Sequence, residues 1–198
     1  MTSVERESEL RLVARLRTGD AAAFDAVHEH FNVRLFSFLV RLSRRRDLAE
    51  DLLEETWLRL VTRAAALRAD TRLGPWLFTV ARNLYISYCR SRFVEDSHIT
   101  SFIGLWPCGS PMPSPFESTA ATETERRIEA GLAALPVLYR EALLLVAVHG
   151  MCTAEASAVC GIHPEAMRQR VSRARALLAR RLGQMDAARL TQLTEAET

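Results

Sequence analysis

The chain has 198 residues with 48% apolar content, enough to bury the core of one domain or of two small ones. Its net charge of +2 excludes a general polyanion binder, so any electrostatic function has to come from segregation of charge along the chain. All 26 basic residues are arginine, the N-terminus MTSVERESELRLVARLRTGD is charged throughout, and no apolar run reaches the length of a bilayer span, which points to a soluble cytoplasmic protein without membrane insertion.

Residues 5–92 are poor in glycine and proline and carry helix-spaced apolar residues, as in Phe24, Val27, Phe31, Leu35, Phe38, Leu39 and Leu42. The spacing predicts helices at about 5–17, 21–43, 47–66 and 75–91, with Asp20 as a cap of the second and Pro75 in the first turn of the fourth. In the third, Leu48, Ala49, Leu52, Leu53 and Leu60 fall on one side, and Asp47, Glu50, Asp51 and Glu54 on the other. Leu58 lies in the middle of the acidic side, where it is badly placed for the core and well placed to anchor a basic partner. An ordinary solvated face with one stray leucine is the bland alternative. The carboxylates lack the histidine or loop glycine that would complete a metal site, so no metal or cofactor is expected.

The fourth helix, PWLFTVARNLYISYCRSR, has an apolar stripe (Leu77, Val80, Ala81, Leu84, Tyr88) and a second side with Arg82, Asn83, Arg90 and Arg92. Aromatic rings beside arginines suit single-stranded bases, which stack on the former and bring phosphates to the latter. Trp76 and Phe78 fit a buried core better, and the arginines fit a solubilising face equally well.

Residues 93–119, FVEDSHITSFIGLWPCGSPMPSPFEST, hold four prolines and no sustained period, as a linker does. The linker also carries Ile99, Phe102, Ile103, Leu105 and Trp106, an apolar set expected to dock on its own domain or, less commonly, on a partner.

Helical spacing resumes at 123–134, 136–149, 153–160 and 164–183, with Gly150 and Gly161 ending two segments and Pro136 and Pro164 opening two. A frayed tail follows. Thr153 to Cys160, a turn at Gly161-Ile-His and a helix from Pro164 have the lengths of a helix-turn-helix unit, whose second helix enters the major groove. On that helix Met167, Val171, Ala174, Leu178 and Leu182 form a narrow stripe flanked on both shoulders by arginines, with no acid between Ala166 and Met185. A solvated helix more commonly interleaves acids, whereas a helix lying between two phosphate strands does not.

Three motifs thus stand in order: DLAEDLLEETWLRL, WLFTVARNL with CRSR, and LPVLYREALLLVAVHGMCTAEASAVCGIHPEAMRQRVSRARALL. Together they resemble the bacterial RNA polymerase sigma factors of the sigma-70 superfamily, in particular the small extracytoplasmic-function group. The resemblance covers about residues 10–92 and 123–182. It implies an all-α protein of two small helical domains, a region 2 bundle (1–92) and a region 4 helix-turn-helix (123–183), joined by a flexible linker (93–122) and followed by a tail (184–198).

The resemblance implies that Asp47, Asp51, Glu54 and Leu58 dock on core RNA polymerase. It gives Arg82, Asn83, Arg90 and Arg92 to the −10 element of promoter DNA, and Arg168, Arg170, Ser172 and Arg173 to the −35 duplex. It implies no enzyme activity and leaves room for an anti-sigma factor that masks these faces. Family members commonly carry Thr at the position of Ala166 and Ala at that of Ser157, so the base preference of the second domain stays open. Two rival readings remain: a stand-alone helix-turn-helix regulator, and a thiol or zinc sensor built on Cys152, Cys160 and His149 or His163. For the latter, the four cysteines (Cys89, Cys108, Cys152, Cys160) contain no Cys-x-x-Cys pair, and reduced thiols are the default.

Overall fold

A computed structural model describes residues 3–95 and 122–196, with side chains described at 6–92 and 122–185. The apolar set of the linker and Cys108 lie outside the described residues, which are helical and contain no strand.

The first half has four helices: α1 (Ser3–Arg17), α2 (Ala21–Ser43), α3 (Arg46–Arg63) and α4 (Leu73–Glu95). Gly19 takes a φ of 77°, which turns the chain out of α1, and Asp20 then caps α2. Its carboxylate accepts the Ala22 and Ala23 N–H groups at 2.9 and 3.3 Å and also receives Arg15 Nε at 2.7 Å. At the far end of α2 Arg44 adopts the left-handed conformation that usually falls to glycine, with its N–H on the Val40 carbonyl. The region from 64 to 66 is a 3-10 turn rather than the end of α3, and α1 pins the loop that follows. Arg6 donates to the Asp70 carbonyl at 2.7 Å and Glu9 accepts the Leu73 N–H at 2.8 Å, which satisfies one of the free donors at the start of α4.

The second half has α5 (Glu123–Ala133), α6 (Val137–Leu143), α7 (Thr153–Cys160) and α8 (Pro164–Ala196). Thr122 and Glu125 form a capping box that starts α5. Sequence spacing predicts one helix over 136–149; instead α6 widens into a π-helical stretch over 144–148 that ends at His149. Gly161, at a φ of 64°, makes the left-handed turn between α7 and α8. The helix α8 runs on past the expected end near 183 to Ala196, because Gly183 alone does not stop a segment otherwise rich in helix formers.

The core is continuous across the two halves. Phe38 and Phe78 meet edge to face at 5.2 Å in the first, Leu144, Leu145, Met167 and Ala174 are buried in the second, and α4 packs against α7 while α2 packs against α6 and the π-helical stretch. Arg140, 3% exposed, ties the joint together. Its guanidinium donates to the carbonyls of Leu132, Ala133 and Leu135 at 3.1, 2.8 and 2.9 Å and to that of Leu42 at 3.1 Å. One cation therefore answers the negative ends of α5 and α2, one from each half.

Candidate functional site

Helix α3 presents the acidic face that the heptad-like spacing predicts. Leu48, Ala49, Leu52, Thr56, Trp57 and Leu60 are buried, whereas Asp47, Asp51 and Glu54 are exposed around Leu58, which is 53% exposed. Burial of the first set fixes the rotation of the helix, and that rotation is what turns the carboxylates outward. Trp57 Nε1 donates to Asn32 Oδ1 at 3.0 Å and so locks α3 against α2. Val61, one turn after Leu58 and 59% exposed, enlarges the apolar spot; its place at i+3 from Leu58 was the sequence signal for it. Asp47 pairs with Arg45, whose hydrogen bond holds the carboxyl below the usual carboxylate range.

Helix α4 departs from expectation. Its buried residues are Leu73, Leu77, Phe78, Ala81 and Tyr85, while Val80, Leu84 and Tyr88 are only partly buried. The helix is packed on two sides, by α2 and α3 and by α7, which widens its buried arc and moves the centre toward Phe78. The four polar residues expected to act together are separated by this packing. Asn83 and Arg90 are exposed, and Arg92 lies 5.9 Å from the centre of the Tyr88 ring. Arg82 turns the other way, into the joint.

There Arg82 Nε donates to Glu141 Oε1 at 2.5 Å and Nη2 to Oε2 at 3.4 Å, with the two side chains 14% and 4% exposed. Burial works against the Arg82 charge, but the facing carboxylate outweighs it and raises the guanidinium pKa. Cys160 lies against the same pair, and burial, reinforced by Glu141, pushes its thiol up to about 12. Such a thiol stays protonated and unreactive. The cysteines and histidines weighed as a sensor do not gather: among the described residues no group of three possible ligands could hold a metal, and Cys152 is exposed while Cys160 is buried.

On α8 the stripe of Met167, Val171 and Ala174 is buried and Leu178 is partly so. At helical spacing Arg168 and Ser172 fall on one shoulder and Arg170 and Arg173 on the other. Arg168, Ser172 and Arg173 are exposed; Arg170 is half-buried and near enough to Cys160 to act on its thiol. Arg168 Nε donates to Glu165 Oε2 at 2.9 Å, a contact between exposed groups that a phosphate could displace. This outer surface of α8 is therefore basic and open to solvent.

Sequence reasoning missed Glu141, and it weighed His149 only as a ligand of the sensor reading. Their signal was an Arg-Glu pair and a histidine set in or at the end of the apolar run Leu138 to Val148. His149 is buried with its ring 4.9 Å from Phe78 and 5.9 Å from Phe38, its Nε2 has no hydrogen-bond partner, and burial drives its pKa down to about 4.

Comparison with known proteins divides the chain at the same joint. Residues 27–93 match the family profile for Sigma-70 region 2, and residues 125–178 that for Sigma-70, region 4. The ECF RNA polymerase sigma factor EcfG of Rhodopseudomonas palustris is 36% identical over 147 residues, which cover 73% of this chain and 77% of that relative. The RNA polymerase sigma factor CarQ of Myxococcus xanthus is 29% identical over 87% of this chain and 96% of its own. In fold, the chain is similar to CnrH in its complex with the cytosolic domain of CnrY, with a TM-score of 0.64 and 20% identity over 90% of this chain and 97% of that one. It is also similar to RpoE of Bartonella quintana, solved with the anti-sigma factor NepR, with a TM-score of 0.59 and 24% identity over 92% and 98% of the two chains.

Proposed function

The chain belongs to the sigma-70 family, in its extracytoplasmic-function group, and from that premise we propose a division of labour among three of its faces. As a sigma factor it binds core RNA polymerase and promoter DNA and directs promoter-specific initiation of transcription. The acidic face of α3, with Asp47, Asp51 and Glu54 around Leu58, docks on the polymerase. Asn83, Arg90, Arg92 and, once freed, Arg82 hold the −10 element. Arg168, Arg170, Ser172 and Arg173 on α8 grip the −35 duplex.

The observation that carries this reading is the exposure of Leu58, with Val61 one turn on, among three unburied carboxylates, a surface fitted to a basic docking site. In the same reading residues 1–92 and 123–183 are the two working domains, 93–122 connect them and 184–198 form a tail, into which α8 continues as far as Ala196. The protein carries out no covalent chemistry; strand opening draws on binding energy released when unstacked bases are captured, against about a few kcal/mol per base. It works in the cytoplasm beside the polymerase, and among the described residues no helix is long and apolar enough to cross a membrane. Since RpoE, similar in fold, was solved with the anti-sigma factor NepR, an anti-sigma factor is the natural regulator of this chain as well.

A stand-alone helix-turn-helix regulator would leave the α3 face without a task. Run-off transcription with purified core polymerase and a library of genomic fragments tests the difference. Starts that share an upstream motif are the expected result, and a protein that binds fragments but gives no specific start would overturn it.

A further inference from the structure

Two arginines from distant parts of the sequence meet at one oxygen. Arg45, in the turn between α2 and α3, donates from Nη1 to the Tyr88 hydroxyl at 3.0 Å, and Arg92, near the end of α4, donates from Nε to the same oxygen at 3.3 Å. A guanidinium accepts nothing, so the hydrogen of the Tyr88 hydroxyl is directed at neither arginine and serves as a further donor. The turn itself holds Arg45 in place. Arg44 takes the left-handed conformation, and the hydroxyl of buried Ser43 accepts the Arg45 N–H at 3.2 Å and donates to the Arg45 carbonyl at 2.9 Å. One donor is enough to anchor Tyr88 against this turn. The two guanidinium nitrogens on its oxygen lie at most about 6 Å apart, where like charges repel, so the second arginine does not improve a purely structural staple.

Asp47 shows what such a cluster takes. Its two oxygens sit on Arg45 Nε, at 3.3 Å, and on Nη2, the two-pronged geometry in which arginine also holds a phosphate. The Asp47 side chain is 63% exposed, and an ion pair so open to solvent is displaced at little cost. Glu50, one turn farther along α3, is taken up by Arg46 at 2.9 Å. We propose that Arg45, Tyr88 and Arg92 form a binding site for one backbone phosphate of promoter DNA, with Arg45 and Tyr88 as DNA-binding residues beyond the polar set of α4. The site rests on the reading of this chain as a promoter-binding sigma factor and extends its DNA surface from α4 to the turn between α2 and α3. The end of α4 is where the chain leaves for the half that grips the −35 duplex, so this phosphate belongs to the upstream edge of the −10 element. A phosphate carries no base identity, and the site therefore adds grip and register without sequence preference. Arg92 holds backbone here rather than a base.

Holoenzyme assembled from core polymerase and the full-length chain is titrated on a fluorescein-labelled promoter fragment that carries the upstream motif found by run-off transcription. Arg45→Gln is expected to weaken binding by at least about five-fold and to lower the slope of log affinity against log salt by about one, as the loss of one phosphate contact does. Arg11→Gln, the same change of charge at an exposed arginine of α1, should leave both unchanged. Tyr88→Phe keeps the ring and removes the shared oxygen, and should weaken binding by at least about two-fold. An Arg45→Gln holoenzyme with wild-type affinity and salt slope would overturn the site.

A scan of promoter fragments with single methylphosphonate linkages, each of which removes one backbone charge, can be run on the wild type alone. One linkage at the upstream edge of the −10 element should cost at least about five-fold in affinity, and a scan with no such position there refutes the site. In Arg45→Gln the same linkage should cost nothing further, because the partner of that charge is already gone. If Arg45 only braced the fold, every linkage would have the same effect in both proteins, which refutes the site and leaves the proposed function intact. A holoenzyme that gives no specific start refutes the function itself.

Discussion

Helices α4 and α8 both set arginines beside an apolar stripe, yet α8 keeps Arg168 and Arg173 in solvent while α4 has Arg82 sealed against Glu141. The difference follows from the width of the stripe. Met167, Val171 and Ala174 occupy a narrow arc that the neighbouring helices of one half can cover, so the flanking charges are left out. Leu77, Phe78, Ala81 and Tyr85 span a wider arc that takes neighbours from both halves, and a charge at its edge is covered with it. A basic helix face therefore predicts an available nucleic-acid surface only when the apolar arc beside it is narrow.

The covered side can be broken most severely at Arg140. Arg140→Ala leaves the carbonyls of Leu132, Leu135 and Leu42 without this donor and removes a cation from two helix ends. A loss of about 3–5 kcal/mol is expected in urea denaturation, because hydrogen bonds to a charged group count about 1.5–3 kcal/mol each and are only partly replaced by water. A loss under about 1 kcal/mol would mean that the joint is not built around this residue.

His149 offers a second way in, through pH. Burial between Phe38 and Phe78, with the charges of Arg34 and Arg41 adding to it, lowers its pKa from 6.5 to about 4. Below pH 6.5 the unfolded chain takes up a proton here that the folded chain refuses until about pH 4, so this residue makes stability fall as pH drops through that window and contributes no slope above it. The slope approaches about 1.4 kcal/mol per pH unit inside the window. Denaturation of wild type and His149→Phe between pH 7.5 and 4.5 should show a steeper decline for wild type, and parallel curves would place the imidazole outside the joint.

Local chemistry made the elements legible. Asp20, Pro75, Gly161 and Pro164 mark helix ends at or within two residues of those observed, since a cap or a breaker acts on its own neighbours. The acidic face of α3 was equally readable, because one helix wheel contains all of it. The partner of Arg82 was not, since Glu141 lies 59 residues away and pairing across a fold leaves no period in the sequence. What could be read was that Arg140 and Glu141 interrupt an apolar run, which calls for buried partners without saying where they are. The π-helical stretch at 144–148 escaped for a related reason: its offset is set by packing under α2 and not by any residue that favours it.

On the open side, Leu58→Asp should weaken binding to core polymerase by about ten-fold or more while leaving the melting temperature nearly unchanged, because a leucine at the centre of a contact counts for over about 1 kcal/mol there and for little in a residue already in solvent. Affinity measured by competition for core enzyme checks it. An unchanged affinity would move the docking site off α3 and leave the exposed leucine unexplained.

The finest test of the open side lies within α8, where Arg173 and Arg181 are both exposed and differ chiefly in distance from the turn at Gly161. A recognition helix contacts base edges through its first turns, so a cation two turns farther along meets solvent or the margin of the duplex. Arg173→Ala should cut −35-dependent transcription by about ten-fold, in keeping with about 1–3 kcal/mol for a lost contact, and Arg181→Ala by under about two-fold. Raising the salt should narrow the gap between wild type and Arg173→Ala if the contact is to phosphate, since the counterion term shrinks with it, and should leave the gap unchanged if the contact is to a base. Equal effects of the two substitutions would show that α8 holds DNA along its whole length and not through its first turns.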